Sequence, residues 1–384
     1  MHVRQIPFGR PMIDDAEINA VVEIMKGPQL VHGPAAHAFE HDFAARVGAR
    51  FATSVSSCTA GLHLALFVEQ IGPGDEVIVP AMTHVATAHA VELCGAKPVF
   101  ADVDPRTGNI DPAALAAAIT GRTRAVIIVH YLGLPCDMDP ISAACDKAGA
   151  YVIEDCALAI DATYDGRKAG TLGRVASFSF YPVKHMTTAE GGMVTTDDEG
   201  MAAAIAQKKA FGYDRTVSER KKPGIYDVVA LGFNYRMNEL QAAIGVQQLK
   251  KLDRFQAARK ENFRVLAEHL DDLDGLNTMP AEAGKSVSSH YCFNAVLPRD
   301  GSVDRDAIVQ GLKERGIGTS VHYPSAVPLM SYYAQKYGYR TGQFPVAEWL
   351  AAQTISLPVG PHLAEGDADY IGRNFVDLMR AVRA

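Results

Sequence analysis

The sequence is short of the features that mark whole classes of protein. No stretch reaches the ~18 uncharged apolar residues that a membrane helix needs. There is no dense Lys/Arg block: the nearest approach is Arg220-Lys221-Lys222, in a Pro/Gly-flanked segment that reads as a solvated loop. With a formal net charge of −7, that argues against nucleic acid or an anionic membrane as partner. The six cysteines (Cys58, Cys94, Cys136, Cys145, Cys156, Cys292) contain no CxxC pair, so neither a disulfide scaffold nor a structural zinc site is expected. The opening MHVRQIPFGRPMIDD has no apolar h-region, so no secretory signal is read there. A soluble protein of the reducing cytoplasm is the expectation.

What remains is ordinary globular chemistry in quantity. The chain has 384 residues, 48% hydrophobic and 21% charged, enough for a large domain plus a smaller one. Short β-rich apolar runs alternate with helical patterns through the first half. EVIVP (76–80), KPVFADVD (97–104), RAVIIVHYLG (124–133), YVIEDCALA (151–159), VASFSFY and GGMVTT read as strands. THVATAHAVELCG, DPAALAAAI (111–119) and ISAACDKAG (141–149) read as helices between them. Apolar strands spaced by helices predict an α/β fold with a mostly parallel sheet covered on both faces. Ligands of such sheets bind at the carboxyl ends of the strands, which points to His130, Asp155 and the segment from Ser179 to Lys184.

After residue 245 the pattern changes. QQLKKLDRFQAARKENFRVLAEHLDDL (247–273) predicts one long amphipathic helix, with Leu249, Leu252, Phe255, Phe263, Leu266 and Leu270 on its apolar face. A strand at HYCFNAVLP, a helix at DRDAIVQGLKERG and a strand at GTSVHYP follow. The expected division is a large domain over 1–248 and a small α+β domain over 249–384.

Three features carry chemistry together. In VSSCTAGLHLAL (55–66) a strand runs through Ser-Ser-Cys-Thr-Ala-Gly into a helix; free N–H groups there cradle phosphate, or a Ser/Thr simply caps the helix. In VIEDCALA (152–159) Glu154 and Asp155 end an apolar strand, where a carboxylate needs a partner: a protonated ring nitrogen, a salt bridge or a cap. No histidine cluster with ligand spacing accompanies them, so no metal is expected. In SFSFYPVKHMTTAEGGMVTT (177–196) a lone Lys184 stands between apolar runs. It is either a desolvated amine fit for Schiff-base chemistry or a loop lysine snorkelling to water.

The chain resembles the DegT/DnrJ/EryC1/StrS family, the sugar aminotransferases of pyridoxal-phosphate fold type I. The runs that carry the likeness are SSCTAGLHLAL, GDEVIVPAMTHVATAHAVELCGAKPVFADVD, TGNIDP, VHYLGLPCDMDPI, VIEDCALA, GTLGRVASFSFYPVKHMTTAEGGMVTTDDEG, GFNYRMNELQAAIGVQQLKKLD and VHYPSAVPLM. The resemblance implies pyridoxal 5′-phosphate (PLP), with pyridoxamine 5′-phosphate formed in turnover. It implies that Lys184 forms the Schiff base and shuttles the proton, and that Asp155 pairs with the pyridine nitrogen. Thr59 and Ala60 would bind the phosphate through backbone N–H groups, with Ser179 adding a hydroxyl. Asn234 would reach the phosphate of a neighbouring subunit, which implies a homodimer with shared sites.

Three positions depart from the family pattern. Cys58 stands where glycine is usual, His84 where an aromatic ring commonly stacks over the cofactor, and Leu158 where Gln or His would meet the cofactor's 3′ oxygen. The expected activity is ping-pong transfer of an amino group from an amino acid, glutamate by analogy, to a keto sugar expected to be nucleotide-linked. His84, His185, Arg236, His322, Tyr323 and the 213–226 loop are candidates for substrate contact, with an exposed or packed side chain as the alternative for His185. A dehydratase on the same scaffold would carry histidine in place of Lys184, and a non-catalytic PLP-binding protein is the remaining alternative.

Overall fold

The computed structural model describes residues 4–215, 222 and 225–383. Arg220 and Lys221 of the basic run, and most of the 216–224 part of the 213–226 loop, lie outside the described residues. Seven strands form the main sheet: β1 (Phe51–Val55), β2 (Glu76–Pro80), β3 (Lys97–Ala101), β4 (Thr123–Val129), β5 (Tyr151–Asp155), β6 (Val175–Ser179) and β7 (Gly192–Thr196). Their order across the sheet is β1-β7-β6-β5-β4-β2-β3. Only β7 runs against its neighbours, so the sheet is mostly parallel, as the near-continuous apolar runs predict.

Helices cover both faces. α1 (Asp15–Lys26) and α2 (Pro34–Val47) precede β1, and α3 (Cys58–Val68) follows it. α4 (Val85–Leu93), α5 (Pro112–Ala118) and α6 (Met138–Ala148) connect the parallel strands, and α7 (Glu199–Lys208) follows β7. α3 and α4 pack on one face through Leu62, Leu64, Ala88 and Val91. α5 and α6 pack on the other through Leu115, Ile141 and Cys145. Strand alternation sends neighbouring residues to opposite faces. Hence Phe178 and Phe180 enter an aromatic cluster with Phe39 and Phe43 of α2, while the Ser177 hydroxyl turns the other way and donates to the Cys58 carbonyl at 2.9 Å.

The long helix, α8 (Glu239–Leu270), starts eight residues earlier than the pattern predicts. Asn238 and Gln241 form a reciprocal capping box that fixes its start. At 32 residues it is ~48 Å long. Ala242 and Leu252 pack with the large-sheet cluster; Phe263, Leu266 and Leu270 pack with a second core. That core contains β8 (Phe293–Val296), β9 (Thr354–Leu357), α9 (Arg305–Glu314) and α12 (Asp367–Arg383), with α10 (Ser331–Tyr337) and α11 (Pro345–Gln353) bridging back to the large sheet. The expected strand at GTSVHYP is not formed: Ser320 makes a single bridge to Ser356, and Pro324, which cannot donate to a ladder, follows at once. None of the described helices is long and apolar enough to cross a membrane.

Candidate active site

Asp155 is the last residue of β5 and is buried on the α3–α4 face of the sheet. Thr87 of α4 donates its hydroxyl to Oδ2 at 2.8 Å, and the Ala157 N–H reaches Oδ1 at 3.1 Å. The hydroxyl of Thr83, which lies just ahead of the His84 cap of α4, is 2.8 Å from that of Thr87. Cys58 Sγ lies 3.8 Å from Oδ1 and 3.5 Å from the Ser177 carbonyl. The thiol therefore points under the sheet end, toward the carboxylate, and not into the space in front of α3. Burial, then the Asp155 charge, pushes its pKa up, so it stays a neutral, weak donor.

Lys184 sits on a turn that leaves β6 and returns to β7. Its N–H donates to the Tyr181 carbonyl at 2.9 Å, and Thr188 closes the turn onto the Phe180 carbonyl at 3.0 Å. The side chain opens on the cleft, so it is only half-buried by surface, yet protein crowds its ammonium. That desolvation lowers its pKa, against the opposing pull of Asp155. Nζ lies 5.5 Å from the centre of the Tyr291 ring. A lysine held this way spends more time as the neutral amine that nucleophilic chemistry requires.

The third side is the N-terminus of α3. Ser57 caps it, accepting from the Ala60 N–H at 3.1 Å. Among the described residues, the N–H groups of Cys58 and Thr59 have no acceptor, leaving two donors at the positive end of a helix dipole. The plain cap is therefore formed, and two N–H groups beside it stay open to an anion. Gly192 allows this packing: a Cβ there would come within 2.5 Å of the Ser57 carbonyl carbon and 2.6 Å of the Cys58 nitrogen. Ser179, the last residue of β6, is buried beside Gly192 in the ladder.

An aromatic wall faces Lys184. His84 caps α4, its Nδ1 accepting from the Ala86 N–H at 3.2 Å, which assigns the proton of the neutral ring to Nε2. Its ring meets Tyr323 edge-on at 5.8 Å. His322 accepts or donates at Nδ1 to Ser356 Oγ, 2.9 Å away, and its carbonyl accepts from Tyr131. Burial, then the charges of Lys184 and His84, takes its pKa down to about 3. Surrounding protein, and next Lys184, also lower the pKa of His84. Burial raises that of Tyr323. Phe8, from the N-terminal segment, completes the wall 5.6 Å from His322 and 6.5 Å from Tyr291.

Other sequence candidates are placed elsewhere. His185 is 2% exposed, with Nε2 3.0 Å from the Ser289 carbonyl. It is packed in the core, which removes it from the residues a substrate can touch. Arg236 stacks its guanidinium 4.8 Å over Phe211, and the described contacts do not join it to Lys184. Asn234 is exposed, its backbone bridged to Ala210. Leu158 is buried, offering only its carbonyl, to Ser289 Oγ at 2.7 Å.

His130, Glu154 and Cys156 cluster closely enough to suggest a metal. However, both His130 nitrogens are engaged, by the Cys136 N–H and by Glu154, and Glu154 also accepts from Gly170, Leu172 and Gly173. That donor set is already saturated. Thr87, Tyr291, Phe8 and Arg259 were not read from the sequence. Only Thr87 left a signal, as a second hydroxyl four residues after Thr83, which lies just ahead of the α4 cap.

The model of the DegT/DnrJ/EryC1/StrS aminotransferase family matches residues 11–376. The chain belongs to that family. It is 40% identical over 382 residues to the spore coat polysaccharide biosynthesis protein SpsC of Bacillus subtilis, covering 98% of this chain and 96% of the relative. Among solved structures it is similar to the aminotransferase TlmJ of Streptoalloteichus hindustanus (33% identity, TM-score 0.90, 99% and 100% covered). It is also similar to the PLP form of Spr1654 of Streptococcus pneumoniae (28% identity, TM-score 0.92, 99% and 100% covered). The protein is a PLP-dependent aminotransferase of fold type I. Its donor set suits that cofactor: an amine of lowered pKa, a buried carboxylate with lone pairs to spare, and two open N–H groups at a helix N-terminus.

Proposed function

We propose that this aminotransferase moves an amino group from an amino acid, glutamate in the first instance, to the carbonyl of a keto sugar carried on a nucleotide. The observation that carries the reading is the meeting, in one cleft, of the Lys184 amine, the Asp155 carboxylate and the open N-terminus of α3. Asp155 would hold the pyridine nitrogen, Lys184 the aldehyde carbon, and the open α3 N–H groups of Cys58 and Thr59, with Ser179, the phosphate; the Ala60 N–H, expected from the resemblance to join them, is already held by Ser57 Oγ. Bound there, PLP supplies an electron sink for a deprotonated carbon.

The remaining work belongs to the chain. Lys184, kept partly neutral by desolvation, would carry the proton from the donor's α-carbon to the aldehyde-derived carbon of the cofactor, and would run the same transfer in reverse with the acceptor sugar. Asp155 would present its carboxylate to the ring nitrogen, with Thr87 and the Ala157 N–H holding its orientation. Neutral His84, His322 and Tyr323 line the approach and offer hydrogen bonds to hydroxyls of the acceptor. With His185 packed onto Ser289, no imidazole stands in the place of the lysine, as the dehydratase reading requires. A role in polysaccharide biosynthesis, as the name of SpsC describes that relative, is consistent with a sugar acceptor.

The active form is a homodimer in which Asn234 completes the partner's phosphate site. Supporting this, large apolar side chains stand exposed on two regions: Met25 (66%) with Ile18 and Leu30, and Leu231 (71%) with Ile225, Val228 and Val229. Such surface usually has a protein partner.

The test is the absorbance spectrum of the purified protein and of Lys184→Ala, before and after glutamate. A band at roughly 410–430 nm that converts to one at roughly 330 nm, in wild type only, is the expected outcome. A wild-type band indifferent to glutamate would rule out that donor. Absence of any band after adding PLP would overturn the reading.

A further inference from the structure

Among the described residues, Arg259 is the one arginine or lysine in the buried core. It comes from the middle of α8 and is 5% exposed. No carboxylate pairs with it among the described residues, and its Nε has no partner at all. A charge taken out of water without a counter-ion is among the costliest things a core can contain. An apolar side chain would fill the same volume more cheaply, so the guanidinium must do something there that an apolar group cannot.

Its contacts indicate what. One terminal nitrogen donates to the Tyr291 carbonyl at 2.8 Å, and the other reaches the Lys184 carbonyl at 3.4 Å. The guanidinium carbon is 5.9 Å from the centre of the Tyr291 ring. Lys184 Nζ lies 5.5 Å from the centre of that same ring. Two carbonyls from distant segments call for a side chain that only donates, in a rigid fork, and arginine alone has that geometry. The other titratable groups facing Arg259 and the Tyr291 ring are His185 and His322, each 5.7 Å from that ring, Cys292, next along the chain, and His290 and His362, which both feel the Arg259 charge. None supplies an anion at neutral pH: four are imidazoles, and burial raises the Cys292 pKa to about 12.

We propose that Arg259 is a positioning residue for Lys184, fixing both the root of the amine through its backbone carbonyl and the aromatic floor on which the amine rests. This rests on the reading of Lys184 as the PLP lysine. Arg259 touches neither cofactor nor substrate; it acts by limiting where Nζ can swing. Because it stems from α8, it also ties the Lys184 turn to the helix that runs into the small core.

The experiment uses full-length, PLP-loaded protein and the variants Arg259→Lys, Arg259→Met and Tyr291→Leu. Four quantities are read: melting temperature, PLP affinity, the pH midpoint of the visible band, and the rate at which glutamate removes that band. Both Arg259 variants are expected to keep PLP affinity within about threefold. They should shift the midpoint by about half a pH unit or more and slow band loss about tenfold, with the apparent glutamate affinity little changed. Tyr291→Leu should move the midpoint in the same direction with Arg259 intact.

If the Arg259 variants melt lower but leave the midpoint within about 0.2 units and the rate within about twofold, Arg259 is core packing and the proposal fails. Should Arg259→Met not fold, Arg259→Lys and Tyr291→Leu decide by the same criteria. Lys184→Ala separates the two levels: a visible band that survives in it sinks the reading of Lys184 itself, whatever Arg259 does.

Discussion

Glu154 and Asp155 leave β5 on opposite faces, and consecutive residues of the same chemistry end in opposite conditions. Glu154 is fully buried and accepts from His130 and from the N–H groups of Gly170, Leu172 and Gly173. Its lone pairs are spent. Asp155 accepts strongly from Thr87 and Ala157 alone, with the Cys58 thiol a distant third. It keeps acceptor capacity on the side of the cleft where Lys184 stands. A saturated buried carboxylate holds a fold together, whereas one with capacity to spare beside a desolvated amine is prepared for a ligand.

That contrast can be broken by exchanging each acid for its amide. Asp155→Asn should slow amino transfer by about 10²-fold or more while leaving apo-protein stability nearly unchanged, because only the ring-nitrogen partner loses its charge. Stopped-flow turnover beside thermal melts checks both halves. Glu154→Gln should do the reverse. It puts an NH₂ among four donors and leaves them short of acceptors, costing about 3 kcal/mol, with turnover of the surviving folded protein within a few-fold of wild type. If the two substitutions act alike, the distinction between the acids is wrong.

Acid sharpens the same comparison. Burial alone would raise the Glu154 pKa, but the hydrogen bond from His130 and those from the backbone N–H groups of Gly170 and Gly173 more than offset it, leaving it below the ordinary value. A carboxyl depressed in the folded state contributes stability that is complete above its unfolded pKa of about 4.3 and is lost as pH falls through the folded value. Wild type should therefore lose stability below about pH 4 more steeply than Glu154→Gln, measured by urea melts across that range.

The smallest effect belongs to the support of Asp155. Thr87→Val removes one neutral donor, worth about 1 kcal/mol, and should weaken PLP binding about fivefold in an absorbance titration. An unchanged affinity would mean that the hydroxyl does not orient the carboxylate.

What the sequence disclosed follows the range of the forces involved. Strands β2, β4, β5 and β6 were legible because burial on both faces leaves unbroken apolar runs. Lys184, Asp155 and the α3 N-terminus were legible because each is a local exception to such a run. The start of α8 was misjudged although its capping box, Asn238 with Gln241, stands in the sequence; the apolar stripe after residue 247 drew more weight than the cap. Tyr291, Phe8 and Arg259 left no local sign, since each acts on a segment far away in sequence. His185 sits beside the lysine in the chain, but the turn sends it into the core.

The length of α8 has a thermodynamic consequence. Its first half is a wall of one hydrophobic core and its second half a wall of the other, so neither core can melt while the other keeps the helix whole. Heating should give one transition for the entire chain, seen alike by near-UV and far-UV circular dichroism. A chain split after residue 248 would leave two fragments, each with half an apolar stripe bared to water and neither able to fold without the other.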